Sequence, residues 1–267
     1  MNKFILILLI VLPAISSGRN NRQNKIKYSK IYTPGKKFYF NYSITKDNKK
    51  FKIVPVDWKN IKTGMSVKSR NDWEEYVFPE TKDTVFTDTL MFSVSEYKIR
   101  KGKKYKPAGT VILFAAERFS RQFGHIDISS TKNYLKLIPF ANQHNEVGFM
   151  QDMKASPPLM ITAIPEQDSV WSDTSIVYNY RFSEAVTKYY DSLEVVSTYQ
   201  ILGRQIVNSV IGKIETWQIK SSSRSLAGSS QLNLNFSSEY GFVTIDFQLL
   251  NGARLKLELI GVEENVR

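Results

Sequence analysis

Cysteine is absent from this chain, and histidine occurs only at positions 125 and 144. The missing cysteine excludes a disulfide framework. It also removes any residue behind an export leader that could carry the lipid of a bacterial lipoprotein. An exported eukaryotic protein of this length without one disulfide would be unusual, so a bacterial exported protein, periplasmic or released, fits better. Two histidines leave few enzyme classes open, since catalytic zinc commonly takes three protein ligands. A Walker loop, a dinucleotide fingerprint, a metalloprotease motif and a Gly-x-Ser-x-Gly elbow are all missing, and no internal repeat appears. No cofactor, metal or catalytic residue is therefore expected.

Long apolar runs are also scarce. Phe4 to Leu12 is the exception, preceded by Lys3 and followed by Pro13, Ala14, Ser16, Ser17 and Gly18. It is about half the roughly 20 residues of a spanning helix, and its flanks are those of a signal peptide. Residues 1–18 are read as a leader cleaved near Ser16 to Gly18, and the mature chain is expected to lack a transmembrane span.

Acidic residues are nearly missing from the front third. Fifteen Lys and Arg between Arg19 and Arg70 face only Asp47 and Asp57, a net of +13, whereas residues 71–267 carry 21 basic and 23 acidic groups. The +12 of the whole chain is thus a local basic face or arm. Outside the cytoplasm the available anions are phospholipid heads, lipopolysaccharide phosphates and acidic glycans, so nucleic acid is not expected as a partner. Lys36, Lys37, Lys46, Lys49 and Lys50, near the aromatics Phe38, Tyr39, Phe40 and Tyr42, are the candidate anionic-surface contacts. A charged solvated surface is the plainer reading of the same residues.

What is abundant is alternation. Trp217 and Ile219 alternate with Gln218 and Lys220; Leu232, Leu234 and Phe236 with Asn233 and Asn235; Val243, Ile245, Phe247 and Leu249 with Thr244, Asp246 and Gln248; Leu255, Leu257 and Leu259 with Lys256 and Glu258. Period two puts one set on a core face and the other in solvent, as in an antiparallel meander. Asn251-Gly252 predicts a hairpin with a type I′ turn, both central residues at positive φ. Upstream, Phe38–Ile44 and Phe51–Val56 read as strands around Lys46-Asp47-Asn48, and Thr84–Ile99 as a strand closed by the charged turn 101–104. Asn71–Phe78 could form a helical turn. Val111–Phe123 reads as strand before a bend at Gly124, and Ser183–Val196 as a hairpin turning at Asp191-Ser192. Prolines 139, 157, 158 and 165 predict a boundary within 139–175. The resulting organisation is a leader (1–18), a basic flexible arm (19–30), an N-terminal β-rich half (31–155) and a C-terminal antiparallel half (156–267). The fold class is mainly β, with little helix beyond the leader.

Few motifs carry chemistry. His125-Ile126-Asp127 places an imidazole and a carboxylate at alternate positions of a strand, the start of a hydrolase constellation that lacks its elbow. His144 lies in a polar loop without a second histidine nearby. Asp168 to Thr174 gathers oxygens without the acid ladder of a calcium loop and reads as an Asx-turn loop. Glu74-Glu75 and Glu263-Glu264 are adjacent pairs, which point apart.

Tyr199-Gln200-Ile201-Leu202-Gly203, Val207, Gly212 to Ile219, Tyr240-Gly241-Phe242-Val243 and Leu255 to Leu259 together resemble the C-terminal signature of a family of exported Gram-negative proteins of unknown function. That family is distantly similar to the LolA-like lipoprotein carriers. The resemblance covers about residues 199–263 and implies a curved antiparallel sheet, half-barrel or clam-like, whose concave side takes an apolar ligand. The first functional reading is therefore an exported, non-catalytic envelope protein binding an apolar or amphiphilic ligand, with Trp217, Leu234, Phe236, Ile245, Phe247 and Leu257 facing inward. The alternative is an envelope scaffold docking lipid, lipoprotein or anionic glycan through its basic third; a hydrolase using His125 and Asp127 is third. The oligomeric state is left open.

Intact mass and N-terminal sequencing of the exported protein test the leader. The chain should begin between residues 17 and 19, and a chain recovered with Met1 still attached would overturn it.

Overall fold

The computed structural model describes residues 25–53, 77–79, 89–101, 104–116, 121–130, 134–140, 153–180 and 190–264. They form one short helix, α1 (Tyr28–Ile31), and fourteen strands: β1 (Lys37–Lys46), β2 (Lys49–Ile53), β3 (Val77–Pro79), β4 (Thr89–Lys101), β5 (Lys104–Ala116), β6 (Arg121–Ser130), β7 (Tyr134–Phe140), β8 (Leu159–Thr162), β9 (Val170–Tyr180), β10 (Tyr190–Ser209), β11 (Gly212–Ser225), β12 (Gly228–Ser237), β13 (Gly241–Gln248) and β14 (Arg254–Glu263). All belong to one antiparallel sheet in the order β8-β7-β6-β5-β4-β1-β14-β13-β12-β11-β10-β9, with β2 and β3 attached beside β1. The mainly β, antiparallel architecture is as expected. The leader, residues 19–24 of the arm, 54–56, 71–76 with Glu74-Glu75, 84–88, 117–120, His144 and 183–189 lie outside the described residues.

Strand β1 joins the two halves. It pairs with β14 from Lys37↔Glu263 to Thr45↔Arg254 and, on its other edge, with β4 from Lys37↔Ser93 to Asn41↔Thr89. Its inward residues Phe38, Phe40, Tyr42 and Ile44 are buried beside Leu90, Phe92 and Val94 of β4 and Leu255, Leu257 and Leu259 of β14. Phe40 and Phe92 meet at 4.6 Å between centroids. The halves 31–155 and 156–267 thus share one sheet and one core.

The sheet stays open but curls far enough for its ends to touch. Lys136 Nζ of β7 donates to Asp173 Oδ2 of β9 at 2.5 Å, with both side chains largely out of water. Residues 153–163, nearly all buried, fill the space between. They cross a row of hydroxyls: Ser223 Oγ and Ser230 Oγ donate to the Ala155 carbonyl at 2.9 and 3.4 Å, and Tyr199 Oη donates to the Pro158 carbonyl at 3.0 Å. Serine at inward positions 197, 221, 223 and 230 leaves room for a crossing backbone, and Ser223 and Ser230, with Tyr199, satisfy two carbonyls that would otherwise be buried unpaired. Burial also pushes the Tyr199 hydroxyl well above its usual pKa, with the Asp173 charge adding to it.

Several local expectations change. The first hairpin turns as predicted, with Asp47 and Asn48 both at positive φ (49° and 60°). At the last hairpin only Gly252 is left-handed, at φ 80°. Leu249 N–H donates to the Ala253 carbonyl, and Asn251 Oδ1 accepts from Ala253 N–H, so a three-residue loop replaces the two-residue turn. Asp191 and Ser192 lie inside β10, since Tyr190 already pairs with Tyr180. Gly124 is within β6 beside a bulge, and Phe78 is in β3. Pro139 is accommodated in β7 opposite Ile126, because β8 pairs with β7 only as far as Leu137 and the missing N–H is not needed there. The arm is fixed from residue 25: Ile26 is buried and its N–H donates to the Ala163 carbonyl at 3.0 Å.

The N-terminal segment also caps the start of β13. Phe242 N–H donates to Tyr32 Oη at 3.0 Å, with the phenol fully buried and its pKa raised by desolvation. Gly241, at φ 75°, sits directly under that hydroxyl, and a Cβ there would collide with it. Gly252 has the same backbone hand and open space around it. Gly252→Ala should therefore cost about 1 kcal/mol from φ alone, and Gly241→Ala about 3 kcal/mol or more. Urea midpoints of the two variants check this; equal costs would remove the packing role of Tyr32.

Candidate functional site

The six residues expected on a ligand-binding concave face do not line one cavity. Leu234, Ile245, Phe247 and Leu257 are 0–1% exposed within the hydrophobic core, in one cluster with Leu135, Leu137, Met153, Leu159 and Met160. The concave side is occupied by the protein's own chain. Phe236 is also buried, in edge contact with Phe242 at 5.0 Å, but it lines a cleft as well. Trp217 is only partly buried and lines the same cleft.

This cleft has a volume of about 860 Å³ and lies where the N-terminal segment, the loop after β8 and the middle of β10 and β11 converge. Its apolar surface comes from Ile164 and the partly buried Trp217, backed by the buried Ile26, Pro165 and Phe236, and its charges from Lys25, Lys27, Glu166, Arg204 and Glu215. A bulge makes the wall. Ile201 pairs with Ile219 but Gly203 pairs with Gln218, so Leu202 is an extra residue and the strand bends. Gly203 supplies the positive φ of 139° at the bend, and the Gln167 side chain packs beside it. Just past it, the Arg204 guanidinium sits 4.5 Å from the centroid of the Trp217 ring and donates to Glu215 Oε1 at 2.8 Å. Both members of that pair are more than half exposed, so it orients the guanidinium and adds little stability.

An indole held under a cation, beside a buried phenyl and two further lysines, presents an apolar bed with a positive rim. It suits an amphiphile with an anionic head. The charges sum to one excess cation, because Glu166 and Glu215 offset two of the three. An isolated glycine inside an alternating run is the local signal that could have marked this bend. Lys25, Lys27, residues 164–167, Arg204 and Ser238 carried no motif of their own.

The other candidates are dispersed. Lys36 is nearly buried and binds Glu264 at 2.5 Å, and Lys37 binds Glu263 at 3.4 Å. The Glu263 carboxyl is held below its usual pKa by the Tyr39 hydroxyl at 2.6 Å and then by Lys37. Lys46, Lys49 and Lys50 stand at the far end of β1, about 30 Å away by strand rise, so the five do not form one patch. Lys52 lies over the Tyr42 ring at 5.0 Å. His125 and Asp127 occupy β6, in register with Leu113 and Val111 of β5 and with Phe140 and Ile138 of β7. Asp168 is in a left-handed turn with its N–H donating to Ile201 O, while the Asp173 carboxylate is taken by Lys136.

No protein-family model and no curated protein matches the sequence. Among solved structures, the chain is similar to a candidate lipoprotein of Parabacteroides distasonis (10% identity, TM-score 0.38, 87% of this chain and 96% of that one). It is also similar to a candidate exported protein with a YmcC-like fold from Bacteroides fragilis (9%, 0.35, 86% and 96%) and to the hypothetical lipoprotein YmcC of Escherichia coli (8%, 0.32, 85% and 87%). None of the three is named as a lipoprotein carrier. With TM-scores of this size, the functional reading rests on the residues of this chain.

Proposed function

We propose that this is an exported, non-catalytic cell-envelope protein that holds a lipid-like anionic amphiphile in the cleft beside Trp217. The leader-like N-terminus and the absence of cysteine support the compartment. The observation that carries the ligand class is the pairing of Trp217 and Phe236 with Arg204, Lys25 and Lys27 around one cavity of about 860 Å³. The acyl portion lies on the open face of the indole, which the buried phenyl backs, and the head exchanges Glu215 for itself as the partner of Arg204. A carboxylate or phosphate head would be bound by charge-assisted hydrogen bonds, and the exposed mouth would keep it partly hydrated.

Titration with dansyl-labelled undecanoate tests this reading. Emission should rise and shift to the blue with saturation at one ligand per chain. Arg204→Ala and Trp217→Ala should each weaken binding about tenfold, the worth of one charge-assisted bond or one aromatic bed. Their circular dichroism should match that of the wild type. Binding unchanged in both variants, or no saturable binding, would overturn the site.

A further inference from the structure

Past the bulge at Gly203, β10 and β11 leave the main sheet and fold over its back as a two-stranded flap. Gln205 Nε2 donates to Asn235 Oδ1, Asn235 Nδ2 to Thr244 Oγ1, and Ser209 Oγ to the Leu259 carbonyl at 2.7 Å. Alternation assigns the two sides. Val207, Ile214 and Thr216 turn toward the sheet with Gln205 and Ser209, while Arg204, Ile206, Asn208, Val210, Lys213 and Glu215 turn to solvent. A solvent-facing row should be polar, yet Ile206 is 67% and Val210 84% exposed. Between 206 and 214 there is no acidic residue, and Lys213 is exposed beside them. Leu226 is equally bare but stands on the hairpin at the opposite end of β11.

We propose that the outer face of this flap is a contact for an anionic lipid bilayer, with Ile206 and Val210 entering the interface and Lys213 and Arg204 at the level of the headgroups. The size of the patch selects this occupant. A two-stranded flap offers much less than the roughly 800 Å² per partner of a stable protein interface. A few apolar side chains flanked by cations are enough for reversible attachment to a negatively charged membrane surface. The position agrees as well: the same outward row runs on to Arg204, which lines the cleft, about 20 Å from Val210 by strand rise. Docking by this face sets the mouth of the cleft against the headgroup layer. The contact itself stands without the cleft reading.

Co-sedimentation with vesicles of equimolar phosphatidylglycerol and phosphatidylcholine, and with pure phosphatidylcholine, tests the contact, using wild-type and variant chains that share the same N-terminus. The wild type should partition onto the anionic vesicles. An Ile206→Asp/Val210→Asp double variant should lose at least tenfold in partitioning, and Lys213→Glu several-fold, with urea midpoints unchanged because these side chains are exposed. Equal partitioning of wild type and double variant overturns the proposal and assigns any binding to the basic residues before Arg70. A concentration-dependent dimer that the double variant abolishes, with no vesicle binding by the wild type, also overturns it in favour of a second copy. Dansyl undecanoate binding should persist in these flap variants; its failure in the wild type removes the cleft reading and leaves the vesicle result to decide this one.

Discussion

The pairing of β1 with β14 is the interaction on which the rest of the molecule depends. Nine positions match from Lys37↔Glu263 to Thr45↔Arg254, and they place the first long strand beside the last. Without that ladder, β4 to β8 and β9 to β14 would be two open sheets, each with one apolar face uncovered. With it, Phe40 and Leu259 on paired strands bring both faces into a single core. The other edge of β1 is divided between β4 and β2, so the strand is satisfied on both sides along most of its length. Two ion pairs, Lys36 with Glu264 and Lys37 with Glu263, mark the end of the ladder.

Closure of the sheet around its own chain then decides where a ligand can go. The crossing segment 153–163 uses up the concave side, and the inward serines are its imprint on the sheet. Leu159, Met160 and Ile161, which follow the crossing residues into β8, are buried in the same core. What remains open is the end of the curl, where the β10 bulge bends the wall and Arg204, Trp217 and the residues around Ile26 meet. The cleft is a product of that irregularity in the ladder.

Much of the fold was legible in the sequence because period-two alternation is a local signal with a direct physical cause. Phe38 to Ile44 and Leu255 to Leu259 read correctly as strands, with their inward sets assigned. The site was far less legible. Alternation marks Leu234, Ile245, Phe247 and Leu257 as inward without saying whether they meet a ligand or the chain's own core, and no local pattern announces that Met153 and Leu159 join them there. Prolines at 157 and 158 read as a boundary because proline disrupts ladders; here they belong to the segment that binds the halves together. The lysines were grouped by closeness in sequence, but a ten-residue strand carries Lys37 and Lys46 to opposite ends.

The β1 to β14 ladder also has a kinetic meaning. Its partners are separated by as many as 226 residues, so closing it is a long-loop event that local structure cannot accelerate. Until β14 has emerged, β1 lacks the neighbour that bridges to the C-terminal half, and the shared core has no second wall. The hairpins within each half can pair as they are made, but the core they share is completed only when this ladder closes, which makes that closure a late event in folding.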